Sequence, residues 1–147
     1  MKVILLLFAL VAGMLVPVQA VLNTKMGRAL GDPVFAALIS FSVGTVSLFI
    51  YALVVQIDLG SIRQASGLSW MVWAAGCLGA VFVAATIILT PKLGAALTFS
   101  LVVAGQLLMA VLMDHFGAFG IQTQPMSWMR LAGIGLITAG VVLIRKF

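Results

Sequence analysis

Residues 70–90, WMVWAAGCLGAVFVAATIILT, run from end to end without a charged side chain. A transmembrane helix needs roughly 20 mostly apolar residues, because the hydrocarbon core is about 30 Å thick and a helix rises about 1.5 Å per residue. This stretch meets that length and is apolar on every face, the mark of a helix kept from water all round. Four more stretches of the same kind flank it, at 3–22, 34–56, 95–113 and 128–144. Together they take up nearly all of the 147 residues; 64% of the chain is hydrophobic, 7% is charged, and mean hydropathy is +1.31. So little polar surface could not cover five such helices in water. The sequence reads as an all-α membrane protein: one domain, 1–147, of five transmembrane helices.

The gaps at 57–69 and 114–127 are too short to fold alone, so function must lie among the helices. The net charge of +5 does not point to nucleic acid, because the basic residues stand singly at helix ends, where they suit anionic lipid head groups. The single cysteine, Cys77, reads as a small buried hydrophobe. No metal-ligand spacing occurs and no cofactor is expected. Lys2, the apolar run after it and Val18-Gln19-Ala20 resemble a signal peptide. With four further spans behind it, the segment is expected to stay as the first helix.

Asp32-Pro33 is a start signal for helix 2, with Asp as N-cap and Pro at the first helical position. Thr90-Pro91-Lys92-Leu93-Gly94 is expected to end helix 3 and turn at once into helix 4, making the two an antiparallel pair. Ser127 is the expected cap of helix 5. Five spans put the termini on opposite sides of the membrane. Lys2, Arg63 and Arg130 fall on the amino-terminal side; Lys25, Arg28, Lys92, Arg145 and Lys146 fall on the other. The positive-inside rule favours a cytoplasmic carboxy terminus, but the bias is small, so insertion in both orientations stays open. Two oppositely inserted copies would make an antiparallel dimer of ten helices, the inverted-repeat plan of many transporters built from two chains. Small residues four apart, Ala96/Ser100/Ala104, Gly76/Ala80/Ala84 and Gly135/Ala139, offer close-contact faces within or between chains.

Polar residues inside the spans are the candidate site. Helix 1 carries Gly13, Pro17, Gln19 and Asn23; the proline removes a backbone hydrogen bond to the Gly13 carbonyl and predicts a kink there. Gln19 and Asn23 share one face. Gln106, deep in helix 4, must find a partner or water, because an unpaired amide in hydrocarbon costs several kcal/mol. It either joins helices or lines a substrate cavity. Ser40, Ser42, Thr45 and Ser47 are expected to bond their own helix backbone. No acid lies inside any span and the chain has no Glu, which argues against ion coupling by a buried carboxylate. Asp114-His115, at the end of helix 4, is the one acid–imidazole pair and a possible proton relay. Alone it supplies neither an activated nucleophile nor a metal cluster, so an enzyme is not expected. Arg28 and Asp32 are spaced to pair.

PVQAVLNTKMGRALGDPVFAALISFSVGT (17–45), GCLGAVFVAATIILTPKLGAALTFSLVVAGQLLMAVLMDHFGAFG (76–120) and RLAGIGLITAGVVLIRKF (130–147) closely resemble the YdcZ-like five-helix proteins. That family belongs to the drug/metabolite transporter superfamily and is described as bacterial inner-membrane exporters. The resemblance covers essentially the whole chain. It implies a half-unit of a ten-helix transporter, working as a homodimer or with an oppositely oriented homologue. The more distant small multidrug resistance exporters use a glutamate in helix 1; this chain has Gln19 and Asn23 there instead. A neutral or amphipathic solute therefore fits better than a proton-coupled cation. The expectation is a small-solute exporter working by alternating access, its site formed by Gly13, Pro17, Gln19, Asn23 and Gln106. The alternative is an accessory subunit that binds and stabilises another membrane protein.

Overall fold

The computed structural model describes residues 2–147, which are helical with no strand among them. Five helices are long and apolar enough to span a bilayer: α1 (Lys2–Leu30), α2 (Pro33–Val54), α3 (Trp70–Leu93), α4 (Ala95–Phe116) and α5 (Trp128–Lys146). The chain divides into two compact units, one ending at Lys92 and the other beginning at Leu93.

The spans match the expected five, with shifted ends. Helix 1, expected over 3–22, continues to Leu30. Its last turns, Asn23–Leu30, are polar enough to escape a hydropathy count, but they hold no proline, and Asn23, Thr24 and Gly27 are buried there. Gly31, at φ +75°, then ends the helix in the left-handed conformation that glycine takes without strain. The helix runs through Pro17 as one element. Helix 2 stops at Val54, short of 56, and Gln56 has φ +58°. Helix 3 does not end at Thr90. It passes through Pro91 to Leu93, losing one backbone bond near its end, and stops at Gly94, φ +80°. Helix 4 reaches Phe116, where left-handed Gly117 caps it, and helix 5 reaches Lys146. The gap at 57–69 holds a 3-10 helix, Leu59–Gly67, begun by Asp58, whose carboxylate accepts from the Gly60 amide at 2.8 Å.

In the first unit, α1 and α2 form a tight hairpin. Asp32 caps α2 as expected, accepting from the Val34 amide at 2.6 Å and the Phe35 amide at 3.3 Å. It does not pair with Arg28; the one ion pair among the described residues lies elsewhere, between Arg130 and Asp114. Gly27 lets three helices meet: a Cβ there would stand 3.2 Å from Ile87 Cγ2 of α3, 3.5 Å from Pro33 Cα and 3.6 Å from Ala36 Cβ of α2. Ala36, Ala37 and Ile87 form the buried core at this point, with Met26, Val83 and Ala84 packed on it. Beyond it the hairpin is bare: every residue of α1 from Val3 to Leu15 is exposed.

In the second unit, α4 packs on α5, and Ser127 caps α5 as expected by accepting from the Arg130 amide at 3.3 Å. Between the two helices runs an open apolar groove of about 350 Å³ whose walls include Ala96, Ser100, Val103, Gly140 and Val141. A Cβ at Gly76, Gly133, Gly135 or Gly140 would meet nothing within 4 Å among the described residues. Between helices, the close contacts made by glycine are thus at Gly27, and at Gly79 against the Phe41 ring (3.5 Å).

Candidate functional site

The hairpin turn at Gly31-Asp32 sets which residues of α1 and α2 face each other. With so short a turn, residues equally far from it on either side are opposed. Gly27 meets Ala36 in this way, Asn23 meets Ser40, and Gln19 comes level with Gly44. The sequence thus places two amides of α1 opposite one hydroxyl of α2. Ser40 Oγ accepts from Asn23 Nδ2 at 3.2 Å and from Gln19 Nε2 at 3.5 Å. Asn23 is 5% exposed, Ser40 is half-buried and Gln19 is exposed, so the cluster grades from a closed end to an open one.

At the open end lies a notch of about 250 Å³ lined by Gln19, Ser40, Phe41, Gly44, Thr45 and Leu48. Ser40 stands seven residues beyond Pro33, about 10 Å along the axis of the apolar helix α2. No charged residue lines the notch. Its recognition chemistry is a carboxamide, a hydroxyl and an aromatic edge, which suits a neutral polar group carried on an apolar body.

Gln19 and Asn23, expected from the sequence, are therefore brought together, and Ser40 is the partner that sequence reasoning missed. The other hydroxyls behave as expected: Ser42 bonds the Leu38 carbonyl, Thr45 that of Phe41 and Ser47 that of Val43. Symmetry about the Gly31-Asp32 turn would have singled out Ser40. Gly13 and Pro17 do not line the notch; Gly13 is exposed and Pro17 is half-buried. Gln106 belongs to the second unit, where it is exposed and makes no hydrogen bond among the described residues.

Asp114 and His115 sit in a separate cluster that ties the 114–127 loop to α5. Arg130 Nη1 pairs with Asp114 Oδ2 at 3.2 Å and donates to the Gln124 carbonyl at 3.4 Å, while Nη2 reaches Gln124 Oε1. The Gln124 amide donates to the Asp114 carbonyl at 2.8 Å. His115 Nδ1 accepts from the Met126 amide at 3.1 Å. Its ring also packs edge-on against Phe116, centroids 4.9 Å apart. Both side chains are thus engaged in closing the loop.

Set beside known proteins, residues 4–143 match a family described as "Putative inner membrane exporter, YdcZ". No curated protein and no solved structure matches the chain.

Proposed function

The chain belongs to the YdcZ family of inner-membrane exporters, a multi-pass protein of that membrane, and from that premise we propose that it exports a small neutral or amphipathic solute as a dimer, by alternating access. The observation that carries this reading is the Gln19–Asn23–Ser40 cluster opening into an uncharged notch inside the span. Polar groups are costly at that depth and are retained where they meet a ligand or one another. The chain is, on this reading, one half-unit of a drug/metabolite-type transporter. Gly13 and Pro17 add a point in α1 where the backbone can flex between inward and outward states. Gln106 faces the solute or the partner chain, and Asp114 with His115 keeps a relay role only if its loop opens during the cycle.

The test is export itself. The full chain, expressed in bacteria lacking their major exporters, should change which small solutes accumulate in the medium relative to an empty vector. Asn23→Leu and Gln106→Leu should abolish that change while the protein remains in the membrane at normal levels. An unchanged profile with both variants would remove these residues from the site. An identical profile with and without the wild-type protein would count against export.

A further inference from the structure

A second notch, of about 280 Å³, opens in the first unit where α1 ends, α2 begins and α3 ends. Two cations, Arg28 and Lys92, line it together with the apolar side chains of Ile87, Ile88 and Pro91. Neither cation has a carboxylate partner within 4 Å among the described residues, since the one ion pair there is Arg130 with Asp114. Asp32, the acid closest in sequence, is turned to the amides of Val34 and Phe35. One more polar group stands beside the notch without a partner: the buried hydroxyl of Thr90 makes no hydrogen bond. Pro91, next to it, has no amide hydrogen to give the Ile87 carbonyl.

The notch lies at the ends of three membrane spans, at the depth where lipid head groups give way to acyl chains. A lone surface cation feels only the diffuse field of an anionic leaflet. Two cations lining one concavity over an apolar floor instead match a ligand that joins a negative group to a hydrocarbon tail. We propose that this notch binds the phosphate group of an anionic phospholipid. Arg28 offers a planar fork to two phosphate oxygens and Lys92 a compact charge to a third, while the acyl chain lies along Ile88 and Pro91. Arg130, in the first turn of α5, already has its carboxylate and forms no comparable site.

The experiment follows thermal unfolding of the full chain in a neutral detergent as phosphatidylglycerol, phosphatidylcholine or inorganic phosphate is added. Phosphatidylglycerol should raise the midpoint saturably, and the other two should not. The double variant Arg28→Gln/Lys92→Gln should raise the half-saturating phosphatidylglycerol concentration by about twenty-fivefold, at about fivefold for each cation. Arg63→Gln/Arg145→Gln removes equal charge elsewhere and should leave that concentration unchanged. Ile88→Trp keeps both cations but fills the floor, so it should weaken binding too, and it decides the matter if the double variant does not fold. Equal losses in both double variants, or wild-type binding by Ile88→Trp, would overturn the site. A full response to inorganic phosphate alone would overturn the lipid as its ligand.

Discussion

Ser40 is one hydroxyl serving two amides, and its removal strands both donors at once. Hydrogen bonds between membrane helices measure about 0.6 kcal/mol on average and about 1.7 at most. Ser40→Ala should therefore lower stability by roughly 1–2 kcal/mol, read as a shift in the thermal or denaturant midpoint in detergent. Ser42→Ala, whose hydroxyl bonds only the Leu38 carbonyl of its own helix, should shift it far less. Equal shifts would mean that Ser40 does not join the helices. The Arg130–Asp114 pair behaves differently. Its side chains are 30% and 36% exposed, so solvent screens the attraction. Asp114→Asn should cost no more than about 1 kcal/mol, because the Gln124 amide still bonds the Asp114 carbonyl and holds the loop. A loss of several kcal/mol in the same measurement would show that the pair, rather than that backbone bond, closes the loop.

Between helices, Gly27 and Gly79 make a matched pair of tests. A methyl at Gly27 would lie 3.2 Å from Ile87 Cγ2, with the Pro33 backbone close behind, and the buried, β-branched Ile87 has little room to turn. A methyl at Gly79 would meet the Phe41 ring at 3.5 Å, an ordinary contact. Gly27→Ala should therefore crowd α1 against α2 and α3 and cost about 1–3 kcal/mol, whereas Gly79→Ala should be nearly neutral; melting in detergent separates them. The same contrast explains what could be read in advance. The five spans were legible because hydrophobicity summed over twenty residues is a bulk signal that no single side chain overturns. Their ends were not, because Asn23–Leu30 stays helical through tertiary burial, and Pro91 sits too near the end of α3 to break it. The Gln19–Asn23–Ser40 cluster, the candidate site, was half legible: Gln19 and Asn23 announce themselves as amides in an apolar run. Ser40 looks like its neighbours Ser42 and Ser47 until the register of the Gly31-Asp32 hairpin is drawn.

For the molecule as a whole, the bare apolar surface does not by itself require a second chain. Lipid tails cover Val3–Leu15 as well as another helix would, since no hydrophobic force draws helices together inside a bilayer. What calls for a partner is polar. Gln106 stands eleven residues beyond Ala95, about 17 Å along α4 and so near the bilayer centre, with no hydrogen bond among the described residues. The α4–α5 groove, with Gly140 and Ser100 in its walls, adds a face where another helix could approach closely. The antiparallel dimer proposed above would answer both needs. The basic residues, five on one side against three on the other, bias the chain only weakly against that. A cysteine added after Phe147, with Cys77 changed to Ala, should then react with an impermeant thiol reagent outside intact cells in part of the population, and with a permeant one in the rest. Gly140→Leu should leave this two-sided labelling intact but shift the purified protein from dimer to monomer by light scattering. Labelling from the inside alone would rule out the antiparallel homodimer, and Gln106 would then have to be satisfied by a parallel copy or by an oppositely inserted relative.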